Sequence, residues 1–269
     1  MPAEGDGDPD MSKFIHAKVE IEETAATIAA EGRYFEPAIV AIKAARRDIE
    51  RQIRRDPFFL TTLEPYDVKA PMDGVVQRMC EASALAQVGP MATVAGAIAQ
   101  EALEAMMSSG CTHGWVDNGG DVALVLESPV TMEIFSEPGA RTASALELEP
   151  SEGAFGVCTS SGKLGHSISF GNADAAVAVA DSATLADAIA TAMGNRVVDK
   201  TSLRTCFDPF KGIKGFRGGV AMLDGQVALH GRLPRMTEVE HREERVTVHS
   251  RMSAPEFTTA GNQGTEVRS

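Results

Sequence analysis

Three short polar segments carry residue types that could bind a phosphate-bearing ligand or a metal ion. The first, Asn118-Gly119-Gly120-Asp121, joins two strand-like runs. Its adjacent glycines permit positive φ angles and would expose backbone N–H groups, while Asn118 and Asp121 would supply oxygen atoms to a ligand. An Asn-Gly hairpin turn between two strands explains the same residues without a ligand, and both interpretations stay open.

The second segment is a strand end with three hydroxyl groups and a glycine. It consists of Thr159, Ser160, Ser161 and Gly162. Backbone amides and hydroxyls at such a position would cradle a phosphate or diphosphate. A polar strand exit without a ligand is the alternative. A serine-hydrolase nucleophile is disfavoured because the Gly-x-Ser-x-Gly elbow is missing.

The third segment places a carboxylate and a hydroxyl in an alanine-rich helix. Asp187 and Thr191 are four residues apart, so they share one helix face. Two hard oxygen donors suit Mg²⁺. In the alternative, Thr191 hydrogen-bonds to a carbonyl of its own helix and Asp187 lies at the surface, near the N-terminal half of the helix.

His166 is the one histidine whose surroundings favour catalysis. Gly165 precedes it and small hydroxyl residues follow, which leaves the imidazole room to face a pocket. An imidazole titrates near neutral pH and could move a proton as a catalytic acid or base. A hydrogen-bonded structural histidine is the alternative.

The elements that must position these residues follow from hydrophobic periodicity and from turn residues. The pattern predicts strands over 14–21 and 175–180, helices over 36–54, 75–86, 90–110 and 183–193, and a hairpin over 218–231. Further strand-like runs surround the first two polar segments. This order predicts an α+β fold in which long helices pack against mostly antiparallel sheets.

Composition bounds the domain organisation. Residues 1–12 are acidic and polar and are predicted to be a disordered N-terminus. Residues 13–235 are predicted to form a single α+β domain. Beyond it the apolar periodicity fades, so residues 236–269 are predicted to be a flexible tail.

Charge and cysteine usage exclude several classes of protein. The net charge of −13 disfavours binding to nucleic acid. No apolar run is long enough to span a membrane and the N-terminus does not look like a signal peptide, so a cytoplasmic location is expected. The four cysteines form no Cys-x-x-Cys pair, which argues against a zinc ribbon and a redox dithiol.

Taken in this order, the three segments resemble motifs of the ApbE-type flavin transferase superfamily. Its members use Mg²⁺ to attach FMN, taken from FAD, to a Thr or Ser of a target. The family's Asn-x-Gly-Gly-Asp, Thr-Ser-Gly and Ala-Asp-Ala-x-Ala-Thr motifs resemble residues 118–121, 159–162 and 186–191. The resemblance implies that Asp187 and Thr191 are metal ligands and that the fold is ApbE-like, with a T-fold-like architecture.

The sequence resembles one uncharacterised (UPF) branch of that superfamily most closely. Five blocks are similar to that branch in register, at 90–99, 118–121, 159–162, 165–174 and 185–195. The family's His-x-x-Asp-Pro-x-Thr-Gly motif, however, is replaced by residues 165–172. The stretch Asp208-Pro209-Phe210-Lys211-Gly212 resembles a remnant of this motif, but it lies after the helix with Asp187 and Thr191 and so in a different place. Substrate and reaction are therefore expected to differ even where fold and pocket are kept.

The resulting prediction is an Mg²⁺-assisted transferase or hydrolase that acts on a flavin, a nucleotide or another phosphate-bearing cofactor such as FAD. The site would comprise His166 as acid or base, residues 118–121 and 159–162 around the cofactor, and Asp187 and Thr191 at the metal. A non-catalytic flavin- or nucleotide-binding protein is one alternative. An enzyme of pterin-type, tetrahydromethanopterin-linked cofactor biosynthesis in one-carbon metabolism is another. The expected partner is a small-molecule ligand, with a homodimer left open and with neither nucleic acid nor a membrane.

Overall fold

The computed structural model describes residues 13–68, 72, 74–137, 139–160, 171–241 and 248–250. Ser161, Gly162, His166 and residues 1–12 lie outside these ranges, so the predictions for them concern residues that the structure does not describe. The helices are α1 (Phe35–Arg55), α2 (Phe58–Thr61), α3 (Gly74–Ala86), α4 (Val94–Ser108), α5 (Ala183–Arg196) and α6 (Lys200–Thr205). The strands are β1 (Phe14–Ile21), β2 (Thr24–Glu31), β3 (Gly114–Asp117), β4 (Asp121–Val125), β5 (Val130–Phe135), β6 (Thr142–Leu148), β7 (Phe155–Ser160), β8 (Ala175–Ala180), β9 (Phe216–Leu223), β10 (Gln226–Gly231), β11 (Arg235–Glu240) and β12 (Val248–Ser250).

Within the described residues, the strands form two antiparallel sheets. The large sheet has the order β1-β2-β3-β4-β7-β8-β9-β10, and the small sheet has the order β11-β6-β5-β12. The helices cover one face of the large sheet, and the small sheet covers the other. The predicted α+β class with mostly antiparallel sheets is confirmed.

Strand β8 shows why the layers stack closely. All six of its residues are buried, as expected for a strand covered on both faces. The alternate residues Ala176, Ala178 and Ala180 belong to the helix-side core, whereas Val177 and Val179 belong to the core between the two sheets. Alanines on the helix side leave room for α5 to approach the sheet backbone.

The predicted elements correspond to observed ones, with two differences. The segment predicted as one helix over 90–110 begins as a 3₁₀ turn, Pro90–Thr93, and continues as α4. The prediction of a flexible tail over 236–269 is wrong for its first residues. Strand β11 pairs with β6 along its whole length, and β12 pairs with β5 at residues 248–250.

In the part of the chain that the structure describes, no single helix is long and apolar enough to cross a membrane. Taken together, α3 and the helical segment from Pro90 to Ser108 have the length and composition of a membrane-spanning helix, but they are bent by 102° at their junction.

Candidate functional site

Helix α5 carries Asp187 one turn beyond its capped N-terminus. The Ser182 hydroxyl accepts a hydrogen bond from the Leu185 amide at 3.2 Å, which satisfies a free N–H of the first turn. The helix then runs directly over β7. A Cβ atom added to Gly156 would lie 2.3 Å from the Cα atom of Ala183, so only glycine allows this approach.

Asp187 is buried and hydrogen-bonded to a neighbouring helix. Its exposed fraction is 6%, and its Oδ2 atom accepts a hydrogen bond from the Gly96 amide at 2.9 Å. Gly96 lies in the first turn of α4, where Thr93 provides no side-chain cap because its hydroxyl donates to the Pro90 carbonyl. Asp187 therefore caps α4 from another element, and the alternative that placed it at the surface is wrong.

Thr191 faces the same segment as Asp187. Its half-buried hydroxyl donates a hydrogen bond to the carbonyl of Ala92, at 3.4 Å. This bond reaches the 3₁₀ turn before α4 and not a carbonyl of α5 itself, in contrast to the alternative considered from the sequence. Both oxygen-bearing side chains thus lie along the start of α4.

The Asn118–Asp121 segment is a tight turn between β3 and β4. The Asn118 amide donates to the Asp121 carbonyl at 3.1 Å, and Gly119 and Gly120 have φ angles of 73° and 101°. The hairpin interpretation is therefore correct as a description of the backbone. The Asn118 side chain also donates to the Ala95 carbonyl at 3.2 Å, which ties the turn to the start of α4.

One amide of this turn is not available to a ligand. The Gly120 amide donates to Oδ1 of Asp117 at 2.9 Å. The sequence predicted that the glycine N–H groups are exposed, and for Gly120 this prediction is wrong. Gly119 is exposed.

The end of β7 lies beside the same turn. Asp121 pairs with Cys158, and the Thr159 amide donates to the Gly120 carbonyl at 3.1 Å. The Ser160 hydroxyl lies near α5. A Cβ atom added to Gly194 would lie 3.3 Å from Oγ of Ser160. The described parts of the three sequence motifs therefore lie along α5, from Asp187 near its start to the neighbourhood of Gly194 in its last turn.

The pKa values of the site carboxyls are raised. Burial raises the pKa of Asp187 to about 7, against a hydrogen bond from Gly96 that lowers it. Burial and then the charge of Asp187 raise the pKa of Asp121 well above its ordinary value. Burial also raises the pKa of Asp117 to about 7. The pKa of the Cys158 thiol is raised by burial and by the negative charges of Asp121 and Asp187. A cation beside Asp121 and Asp187 would relieve this repulsion.

Two of these residues were missed from the sequence. Asp117 is the only charged residue in the buried strand β3, directly before the Asn-Gly pair, and that position was a usable signal. Cys158 gave no signal, because a buried strand cysteine is ordinarily a small apolar side chain. Its thiol is brought near Asp121 by the pairing of β4 with β7 and near Asp187 by the packing of α5 on β7.

The donor chemistry fits Mg²⁺ better than a softer metal. Carboxylate and hydroxyl oxygens at Asp121, Asp187 and Thr191 are hard ligands. Among the described residues, no group of three or more His, Cys, Asp or Glu side chains could hold a metal ion. An ion here would thus depend on two carboxylates, a hydroxyl, water and ligand phosphates, which is ordinary for Mg²⁺.

The family comparison covers most of the chain. The family model described as "AbpE bacteria" matches residues 10–206. The UPF0280 protein of Methanocella arvoryzae is 45% identical over 86% of this chain and 94% of its own length. The UPF0280 protein of Methanosarcina barkeri is 40% identical over 87% of this chain and 93% of its own length. That of Archaeoglobus fulgidus is 39% identical over 86% of this chain and 97% of its own length.

Solved structures share the fold at low sequence identity. The flavin transferase ApbE from Vibrio cholerae aligns with a TM-score of 0.53 and 11% identity, over 81% of this chain and 96% of its own. The flavinyl transferase ApbE from Pseudomonas stutzeri aligns with a TM-score of 0.52 and 13% identity, over 83% and 96%. The chain has an ApbE-like fold and belongs to the AbpE bacteria family, in its branch of UPF0280 proteins.

Proposed function

We propose that this protein is an Mg²⁺-assisted transferase or hydrolase that cleaves the diphosphate of a flavin or nucleotide-like cofactor. The observation that carries the proposal is the approach of two carboxylates from separate elements, the buried Asp187 and the half-buried Asp121, which interact electrostatically near the described parts of three polar motifs. The fold shared with flavin transferases supports the same substrate class.

The metal would be held by side chains from the start of β4 and from α5. Asp187 and Asp121 would supply carboxylate oxygens, and the Thr191 hydroxyl retains lone pairs while it donates to Ala92. A bound Mg²⁺ would neutralise phosphate oxygens and make the diphosphate easier to cleave. The fixed position of Asp187, set by its hydrogen bond to Gly96, orients this ligand set before the substrate arrives.

The remaining polar groups would orient the phosphates. The Thr159 and Ser160 hydroxyls lie at the end of β7 and can donate hydrogen bonds to phosphate oxygens, and the exposed Gly119 lets a ligand approach the main chain closely. Ser161, Gly162 and the acid–base role of His166 stay predictions, because they lie outside the described residues.

Release of AMP from FAD tests the proposal. Cleavage of the FAD diphosphate yields AMP whether the FMN part passes to an acceptor or to water, so AMP is a readout common to transferase and hydrolase. We expect AMP formation that requires both Mg²⁺ and the full chain. Mass spectrometry then separates protein-bound FMN from free FMN.

The matched variants are Asp187→Asn and Asp199→Asn. Asp199 also caps a helix through its carboxylate, at α6, but lies outside the site. We expect AMP release to fall at least about a hundredfold in Asp187→Asn, since a charged metal ligand is lost, and to stay unchanged in Asp199→Asn. FAD that binds and is recovered intact would contradict the catalytic proposal and support a binding protein.

A further inference from the structure

A serine, a histidine and a glutamate form a hydrogen-bonded row on the small sheet, on the side of the large sheet away from α5. The Ser136 hydroxyl lies 3.4 Å from Nε2 of His241, and Nδ1 of the same ring lies 2.6 Å from Oε1 of Glu133. Ser136 and His241 are 105 residues apart, so the row is made by tertiary structure and not by local sequence. A nucleophile, a base and a group that orients the base meet in this order in acyl-transfer enzymes.

A β-bulge places Ser136 and Glu133 on the same side of the sheet. Residues three apart in a regular strand point to opposite faces. The register of β5 against β6 shifts between Glu133 and Phe135, which adds one residue to the strand. Ile134 and Phe135 consequently both pack on the core between the sheets, and the two polar residues meet one imidazole on the other face.

Glu133 is a buried carboxylate that is not fully satisfied. Its exposed fraction is 7%, and its Oε2 atom has no hydrogen-bond partner among the described residues. The only ion pair described for it is the one with His241. A buried carboxylate of this kind is costly to maintain, and its single described partner is the imidazole that it orients.

The tautomer of His241 suits a general base. Because Nδ1 donates its proton to Glu133, Nε2 is left with the lone pair that accepts from the Ser136 hydroxyl. His113 and Ser128 form a contrasting pair, also at 3.4 Å. There Nδ1 accepts from the Glu127 amide, so the proton is on Nε2 and the ring cannot accept the proton of Ser128.

We propose that Ser136 is the nucleophile of a second active site, which hydrolyses carboxylic esters, with His241 as general base and Glu133 as the positioning residue. Ser136 Oγ attacks the ester carbonyl while its proton passes to Nε2 of His241. The C–O bond to the alcohol breaks, and the imidazolium returns the proton to the departing alcohol. Water, deprotonated by the same nitrogen, then attacks the acyl carbon. The C–O bond to Ser136 breaks, the imidazolium returns the proton to Oγ of Ser136, and the carboxylic acid is released.

A fluorophosphonate probe and p-nitrophenyl acetate test this site in the full chain. We expect the probe to modify Ser136, mapped by peptide mass spectrometry, and not Ser128. Labelling should be lost on heat denaturation. The Ser136→Ala variant should lose the label and the release of p-nitrophenol, whereas Ser128→Ala should keep both.

Variants of the two supporting residues separate a catalytic role from a structural clasp. His241→Gln should lower the labelling rate at least about a hundredfold, and Glu133→Gln at least about tenfold, while both variants remain folded at the assay temperature. Glu133→Asp, which keeps the charge, should recover part of the rate. An unlabelled Ser136 in the native protein, or a labelling rate at Ser136 that is independent of His241, would overturn the proposal.

Discussion

Three aspartates from separate strands and a helix share one buried region beside the start of α4. Asp117 and Asp121 flank the glycine turn, and Asp187 reaches in from α5. Each has a raised pKa because burial penalises its charged form. The region is therefore less stable when all three are ionised, which is what a cation or a bound ligand would correct.

Asp117 allows this cost to be measured as a pH dependence. Its folded-state pKa of about 7 lies above the ordinary value of 3.8, so the folded protein holds a proton that the unfolded chain has released. The free energy of unfolding should consequently fall between about pH 4 and pH 7, by at most about 4 kcal/mol from this group. Urea unfolding of the metal-free protein at pH 5 and pH 8 measures the change.

The Asp117→Asn variant is the control for that assignment. Asparagine keeps an oxygen that can accept from the Gly120 amide but does not titrate. The pH dependence should become shallower in this variant. An equally steep loss of stability in Asp117→Asn and in the unmodified protein would contradict the assignment.

At the residue scale, the sequence predicted that Asp187 and Thr191 share a helix face but not what each one bonds to. Spacing alone put Asp187 and Thr191 on one helix face. Their partners at Gly96 and Ala92 lie about ninety residues away, so no local pattern could indicate them. The use of the Gly120 amide by Asp117 was likewise hidden, because it depends on the exact conformation of the turn.

Helices α4 and α5 cap each other. Asp187 of α5 accepts from the Gly96 amide of α4. In return, Oε1 of Gln100 in α4 accepts from the Thr184 amide at 3.2 Å and from its hydroxyl at 2.8 Å, at the start of α5. Each helix thus satisfies a free N–H group of the other, which fixes their mutual position.

Gln100→Ala should remove half of this arrangement. We expect a loss of about 1–3 kcal/mol in the free energy of unfolding, because the amide and hydroxyl of Thr184 are buried and would lose their acceptor. Gln77→Ala, which removes an exposed glutamine bonded only to Glu81, should cost under about 0.5 kcal/mol. Equal effects of the two variants on chemical denaturation would argue against reciprocal capping.

Gly96→Ala tests how closely the two helices approach. A Cβ atom at Gly96 would lie 2.5 Å from the Ala183 carbonyl oxygen and 2.7 Å from Cβ of Asp187. Although alanine is the better helix former, the variant should be destabilised by about 1–3 kcal/mol. Gly74→Ala at the start of α3 meets nothing within 4 Å and should be neutral or stabilising in the same thermal or urea melts.

At the element scale, the amphipathic α1 and β1 and the alanine-rich β8 and α5 were predicted from the sequence, whereas β2 and β11 were not. Helix α1 has a clear apolar stripe, and β1 alternates. Strand β2, Thr-Ala-Ala-Thr-Ile-Ala-Ala-Glu, has weak β propensity and is a strand because it pairs with β1 and β3. Strand β11 carries three charged side chains among six residues without a regular alternation, and only its pairing with β6 reveals it.

The whole molecule consists of helices, a large sheet and a small sheet, with a separate apolar core on each side of the large sheet. The strand β11 completes one edge of the small sheet. A chain ending at residue 234 would lack both β11 and His241, and so would leave the β6 edge unpaired and Glu133 without its partner.

Truncation tests the contribution of this edge. We expect a chain ending at residue 234 to unfold at least several degrees below one ending at residue 250, and to aggregate more readily, because it has lost two paired strands, β11 and β12, and left a buried carboxylate uncompensated. Calorimetry and size-exclusion chromatography of the two chains measure both effects. Equal melting temperatures would show that the region beyond 234 adds nothing to the fold.

The most direct test of the proposed site is the Mg²⁺-dependent thermal shift of Asp187→Asn in the presence of FAD. The unmodified protein should melt at a higher temperature with millimolar Mg²⁺, since ligand at about 100 times its Kd adds about 2.7 kcal/mol. Asp187→Asn keeps an oxygen that can accept from Gly96 but loses the charge, so its Mg²⁺ shift should vanish, while Asp199→Asn keeps it. An absent shift in the unmodified protein, or an equal shift in Asp187→Asn, would contradict an Mg²⁺ site at Asp187.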